Sequence, residues 1–547
     1  MGTITSFIKS HIQADERKSR KRLITLSVSL LLLTALIVAV VGVRTLLHRP
    51  GSGDAPATPT TPAEAVRSIC SLTRYPKSCF SSLISANSID PEIIFQFSLT
   101  VAIKALEAIS NFPEDYAKRL TGADGQLVKE ALGLCGAALN DAVESLNDAV
   151  SATGLRDADD LKTWLSAALT NQDTCLDALG EAEAAFSGEV ERLMGNATEF
   201  ASNSLAIVAR LLAVEPGDFP AWITAADRRL LQDVAAVSNK VNVVVAKDGS
   251  GHVKTIKGAL ALVEKKSKKR FVIHVKAGVY EENLMLNKSF WNVMIIGEGK
   301  NNTIITGNKN FVDGTLTFVT ATLAVSGKGF IARDLTIRNT AGPEKHQAVA
   351  FRSGSDLSVF YRCSFDGFQD TLYAHSNRQF YRECDITGTV DFIFGNAAVV
   401  FQNCNINPRQ PLLNQFNTIT AQGKKDPNQN TGICIQRCVI SPLGNVTAVT
   451  YFGRPWKDYS TTIIMQSNID VIVNPLGWTP WLNVPPASIF YAEYLNIGPG
   501  ANTSNRVKWR GYKSNLTAAQ ASKYDVQSFI NGRSWLPVTG VTYEATL

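Results

Sequence analysis

A chain of 547 residues is too long for one compact domain and long enough to bury two good cores. Its charge is divided: residues 64–215 carry 11 basic and 22 acidic side chains, net −11, and residues 239–547 carry 33 and 20, net +13. A basic half suits a polyanion, and the N-terminal segment, which addresses the chain to a lumen, argues against nucleic acid as that polyanion.

Over residues 1–22, Lys9, Arg17, Lys18, Arg20, Lys21 and Arg22 outnumber Asp15 and Glu16. Leu23 to Val43 then runs 21 residues without a charge and ends at Arg44. That length spans a hydrocarbon core as a helix and exceeds the usual core of a signal peptide. The flanking positive charge places residues 1–22 in the cytosol and the remainder in the lumen. No small-residue cleavage site precedes the next segment, so an uncleaved transmembrane signal anchor is expected ahead of a cleaved signal peptide. Residues 44–63, mostly Pro, Thr, Gly and Ala from His48 on, read as a linker that cannot bury enough apolar surface to fold.

From Glu64 to Glu215 Ala and Leu dominate at helical spacing, as in Val128-Lys-Glu-Ala-Leu-Gly-Leu-Cys135. The pattern is that of amphipathic helices in a bundle. Cys70, Cys79, Cys135 and Cys175 fall here, and an even set in a lumenal chain suggests two disulfides. No second close Cys or His pair accompanies Cys70 and Cys79, so zinc is not expected. Residues 216–238 join the two halves and contain Arg228-Arg229-Leu230-Leu231, the only Arg-Arg pair in the chain. A dibasic linker can extend into a protease cleft without unfolding a core.

From residue 239 short strand-like runs such as Phe271-Val-Ile-His-Val275 alternate with Gly, Asn and Asp turns. Phe360-Tyr-Arg-Cys363, Phe380-Tyr-Arg-Glu-Cys384 and Phe401-Gln-Asn-Cys404 repeat with cysteines 21 and 20 residues apart. That period predicts a solenoid in which each coil covers its neighbour. Gln347 to Gln369 is 22 residues and Asp370 to Asp391 is 21. If one period is one coil, these positions lie about 4.8 Å apart on adjacent parallel strands, and two carboxylates and two amides converge on one face. Carboxylates that close cannot both ionise cheaply, so the pair divides into an acid and a base or nucleophile, while amides can donate to an oxyanion. Stacked ladders of Asp and Gln in solenoid turns are the bland reading of any one of these residues. All four on one period, beside aromatic neighbours, favour chemistry.

Gln347-Ala-Val-Ala350, Gln369-Asp-Thr-Leu372, Asp391-Phe-Ile-Phe-Gly395 and Tyr451-Phe-Gly-Arg-Pro-Trp456, with Gly278-Val-Tyr-Glu281, resemble the plant pectin methylesterases. In the Tyr451–Trp456 motif Phe452 stands where Leu is more usual. The resemblance implies a right-handed parallel β-helix over residues 239–547 that hydrolyses methyl esters of galacturonate in pectin. It implies Asp391 as nucleophile, Asp370 as the acid that later acts as base, and Gln369 as stabiliser of the anionic intermediate. Gln347 and Thr317 then hold substrate, Arg454 clamps Asp391, and Trp456 offers a face to the sugar. No metal or cofactor is expected. The family pairs Cys384 with Cys404, which would sit on adjacent coils. Residues 64–215 resemble the pectin methylesterase inhibitor family, which implies a four-helix bundle with Cys70–Cys79 and Cys135–Cys175 bridges. Arg228–Leu231 matches the family's processing motif.

Sequons at Asn196, Asn287, Asn301, Asn445, Asn502 and Asn515 fit a glycoprotein that passes through secretory membranes to the cell wall. Two alternatives stay open. A β-helical lyase or polygalacturonase would fit the fold but lacks its acid clusters, lysines or calcium sites at matching places. A non-catalytic wall-binding or inhibitor protein would leave Asp370 and Asp391 unexplained.

Overall fold

Thr61 opens the helical part of the chain: its hydroxyl accepts from the Glu64 N–H, and the Glu64 carboxylate reaches back to the Thr61 N–H. This capping box starts the helix Pro62–Cys70 two residues before the expected boundary at Glu64. The computed structural model describes residues 59–120, 125–151, 158–211 and 240–547. The described residues from Thr60 to Leu547 form one compact unit. The expected basic tail 1–22, the anchor 23–43, most of the 44–63 linker and the Arg228–Leu231 motif lie outside the described residues.

Residues 62–211 are all-α. The long helices Pro91–Glu107, Gln126–Ser151, Ala158–Glu181 and Ser187–Leu211 close on a core of Ala and Leu that includes Leu99, Leu132, Leu146, Leu165 and Leu205. Their small and unbranched side chains suit helix interiors and let helices approach closely. Two disulfides staple the region, as expected. Cys70–Cys79 joins the Pro62–Cys70 and Pro76–Leu83 helices, and Cys135–Cys175 joins Gln126–Ser151 to Ala158–Glu181.

From Val243 the chain winds into a parallel β-helix of three sheets with eleven, seven and eight strands. The central coils give one strand to each sheet: Ser358–Tyr361, Ser364–Asp366 and Leu372–Ala374 are followed by Arg378–Arg382, Asp385–Gly388 and Ile393–Gly395. Val359 pairs with Phe380, Phe365 with Ile386 and Leu372 with Ile393, so the predicted period of 21 is one coil here. The aromatics of the repeat stack along the interior, Phe360 on Tyr381 at 4.4 Å and Tyr381 on Phe401 at 4.6 Å.

A turn with one left-handed residue links the eleven-stranded sheet to the eight-stranded sheet in successive coils. Arg362, Glu383, Asn403 and Arg437 occupy it with φ of 51°, 55°, 54° and 53°. The following residue points inward, which explains the cysteine repeat: Cys363, Cys384, Cys404 and Cys438 form a buried column. The Cys384–Cys404 bridge expected from the family is not formed. Both are free thiols, with Cys384 Sγ 3.3 Å from the Phe360 carbonyl and Cys404 Sγ 3.5 Å from that of Tyr381. In the column Cys384 and Cys404 have like neighbours on both sides, and Cys384, Cys404 and Cys438 each turn to the backbone of the preceding coil.

The three outer faces are covered differently. Val526, Ile530, Trp535 and Leu536 of the C-terminal segment pack on the eleven-stranded sheet against Phe380, Val400 and Ile463. The seven-stranded sheet instead presents Ala324, Val349, Tyr373, Phe394 and Ala421. The helical region approaches the same face, and Leu316 of the β-helix is fully buried in the helical core.

Candidate active site

Asp370 and Asp391 each precede by two residues the paired strand positions Leu372 and Ile393. They are therefore equivalent on adjacent coils of the seven-stranded sheet. Both adopt left-handed backbone, φ 62° and 51°, a conformation that costs a non-glycine residue about 1 kcal/mol and gathers at functional sites. The Asp370 N–H donates to the Val390 carbonyl at 3.0 Å and the Asp391 N–H to Thr418 Oγ1 at 2.9 Å.

The two carboxyl groups meet different surroundings. Thr418 Oγ1 donates to Asp391 Oδ1 at 2.6 Å. Arg454 donates from Nε to Oδ1 at 2.9 Å and from Nη2 to Oδ2 at 2.6 Å, a two-pronged clamp. The Arg454 guanidinium lies 4.2 Å over the Trp481 ring. Among the described residues none donates a hydrogen bond to the Asp370 carboxyl. Burial pushes Asp370 well above the usual carboxylate range, the Asp391 charge adds to that shift, and Arg454 opposes it. One carboxyl is thus matched to a cation and its neighbour is driven to keep its proton.

Both face a cavity of about 250 Å³. Its β-helical wall includes Thr317, Gln347, Trp456 and Trp481, with Tyr373 stacked on Phe394 at 4.1 Å. Trp456 stands edge-on to both rings, at 6.5 and 6.1 Å. Thr174, Asp177, Ala178 and Glu181 of the Ala158–Glu181 helix form the opposite wall.

Of the residues singled out in the sequence, Asp370, Asp391, Thr317, Gln347 and Trp456 line this cavity, and Arg454 holds Asp391. Gln369 does not line it. Its carbonyl accepts from the Ala348 N–H at 3.2 Å, so Gln369 is level with Ala348 and not with Gln347. The 22-residue spacing of the glutamines is one more than the 21-residue coil, so they are not equivalent positions of successive coils. Of the two amides, Gln347 is the one among the cavity's lining residues. Tyr373 and Phe394 were missed, although they repeat three residues after each aspartate. Burial, with the Arg352 and Lys288 charges, pulls His375 well below its usual range and keeps it neutral, and its Nε2 lies 2.8 Å from Thr174 Oγ1.

A parallel β-helix with an aromatic-lined groove around coil-spaced carboxylates defines a β-helical, carbohydrate-active hydrolase. Residues 242–533 match the family model Pectinesterase, and residues 64–207 match Plant invertase/pectin methylesterase inhibitor. The chain is 55% identical over 527 residues to Pectinesterase 3 of Phaseolus vulgaris, covering 91% of this chain and 90% of that one. It is 46% identical over 571 residues to Probable pectinesterase/pectinesterase inhibitor 46 of Arabidopsis thaliana, covering 98% and 99%. The solved structure of pectin methylesterase from carrot aligns with a TM-score of 0.56 and 51% identity, over 56% of this chain and 98% of that one. The chain belongs to the pectinesterase family, with an inhibitor-family region ahead of the esterase, and it removes methyl groups from cell-wall pectin.

Proposed function

We propose that Asp391 attacks the ester carbonyl of a methyl galacturonate while Asp370 gives its proton to the leaving methoxide, releasing methanol. Asp370 then takes a proton from water, whose oxygen attacks the Asp391-bound acyl group. That step frees the galacturonate carboxylate and restores both aspartates. The single observation that carries this division is the Arg454 clamp on Asp391 beside an Asp370 that burial keeps protonated. Gln347 serves the substrate and oxyanion from the cavity wall, Gln369 acts from the position before Asp370, Thr317 contacts substrate, and Trp456 stacks on a sugar. Changing Asp391→Asn is expected to lower methanol release from esterified pectin at least about 10³-fold with the thermal transition intact. Near wild-type turnover in that variant would remove Asp391 as nucleophile.

We further propose that residues 64–215 are an inhibitor-like four-helix pro-domain that covers the groove until a protease cuts at Arg228–Leu231. Supporting this, one wall of the cavity comes from the Ala158–Glu181 helix. The net charges of −11 and +13 also favour docking, and covalent linkage keeps the two at high effective concentration. A signal anchor over 23–43 would hold the uncut chain on secretory membranes before release to the wall.

A further inference from the structure

Lys457 follows Trp456 directly, and Lys425 lies three residues beyond the strand Asn417–Gln422. Among the described residues, neither has a carboxylate of the β-helix within ion-pair distance. Both pair instead with the helix that walls the cavity: Lys457 Nζ with Asp177 Oδ1 at 2.6 Å, and Lys425 Nζ with Asp173 Oδ1 at 3.0 Å. Asp177 also lines the cavity that holds Asp370 and Asp391, so the Lys457 pair adjoins the reacting carboxylates. One turn further on, Glu181 takes the Thr317 N–H at 2.9 Å and its hydroxyl. Asp173, Asp177 and Glu181 are spaced by four residues, which sets them on one helix face about 6 Å apart along the axis. A de-esterified galacturonan likewise offers one carboxylate from every sugar along its length.

With the helix displaced, the two cations it now matches would be left without carboxylate partners. Lys457 keeps 22% of its side chain exposed, so it is accessible to a ligand yet incompletely screened. We propose that Asp177 and Asp173 stand in for free galacturonate carboxylates, and that Lys457 and Lys425 are subsites for de-esterified sugars in the open groove. This rests on the reading that the helix covers the groove. A methyl ester brings no charge to these positions, so they distinguish an acid sugar from an ester sugar. De-esterified oligogalacturonate consequently competes with the helix for the same two cations, and product made by cut enzyme loosens uncut chains.

The test is calorimetric titration of the full-length chain with fully de-esterified oligogalacturonate. Asp173→Asn combined with Asp177→Asn is expected to tighten binding about tenfold over wild type, because the cations are uncovered. Adding Lys425→Gln and Lys457→Gln is expected to abolish the gain, whereas Lys425→Arg and Lys457→Arg retain it. A fully methyl-esterified oligomer should show no such dependence. The proposal is overturned if the glutamine pair leaves oligogalacturonate affinity of the uncovered chain unchanged. It is also overturned if the arginine pair, with an unaltered thermal transition, loses affinity as the glutamine pair does. Binding needs no turnover, so a failed Asp391 assignment leaves this result standing. Hydrogen exchange across Ala158–Glu181 reads the ion pairs separately: exchange unchanged in the Asn variants overturns their role in holding the helix over the groove, whatever the lysines bind.

Discussion

The helical region and the β-helix solve the same problem with different economies of contact. The helices meet through a core of Ala and Leu drawn from distant turns, and two disulfides close them. The β-helix repeats one coil, so each side chain rests on its counterpart in the next, as in the Phe360–Tyr381–Phe401 stack. In such a ladder the core and the site share one register: the coil that stacks Phe360 on Tyr381 also sets Asp370 beside Asp391. The helical region has no such coupling, and its contribution to the site is one wall of the cavity.

The sharpest break in this comparison is expected from Asp370→Asn. Loss of the acid should lower methanol release about 10²–10⁴-fold, measured on the processed enzyme. The same change should alter stability in the opposite sense. Burial raises Asp370 in the folded protein, so the native state holds a proton that the unfolded chain releases. That contribution to stability is present below the unfolded carboxylate range and is lost as pH rises above it. Asn carries no such liability, so the variant is expected to melt higher than wild type at pH 8 and no higher at pH 3. Equal melting differences at both values would contradict the assigned burial of charge.

Phe360→Ala should destabilise the β-helix by about 3–5 kcal/mol, because the cavity opens in a ladder with fixed neighbours. Denaturant titration measures this. Disruption should spread to turnover, since Asp370 and Asp391 follow the same coil spacing.

Removing the Cys135–Cys175 bridge by Cys135→Ala with Cys175→Ala should cost about 2–4 kcal/mol in the helical region alone. Uncut chains should then release methanol faster, and chains cut at Arg228–Leu231 should be unaffected. An uncut double variant no faster than uncut wild type would show that the helices do not restrain the esterase.

The smallest expected effect is the pH response of the wall itself. Burial pushes the Glu181 carboxyl up against the hydrogen bonds from Thr317. The docked helix therefore holds the Glu181 proton more tightly than a released one. Docking should strengthen as pH falls toward the ordinary carboxylate range and weaken as pH rises above the raised value. Helix release followed by hydrogen exchange from pH 4 to 8 checks the direction, and stronger docking at pH 8 would reverse it.

Much of this molecule was legible in its sequence, for identifiable reasons. The 21-residue period of Asp370 and Asp391 is a local property of a chain that winds regularly, so counting residues is enough to bring them together. Cys70, Cys79, Cys135 and Cys175 were recognisable as a bridged set because they are an even number in a chain addressed to a lumen, and the inhibitor-family resemblance implied how they pair. Counting failed where one residue mattered: Gln347 and Gln369 look equivalent at 22 residues, yet the coil register separates them. The cysteine column also repeats with the coil, and periodicity alone does not say whether stacked thiols join. What only the tertiary structure decided is everything that crosses between the two regions. The Asp177–Lys457 and Glu181–Thr317 contacts connect residues more than a hundred positions apart. No period links them, because a packed helix chooses its partners by shape and charge across space. The sequence determined a coiled scaffold with two matched aspartates; the docking of an acidic helix decided what those aspartates face.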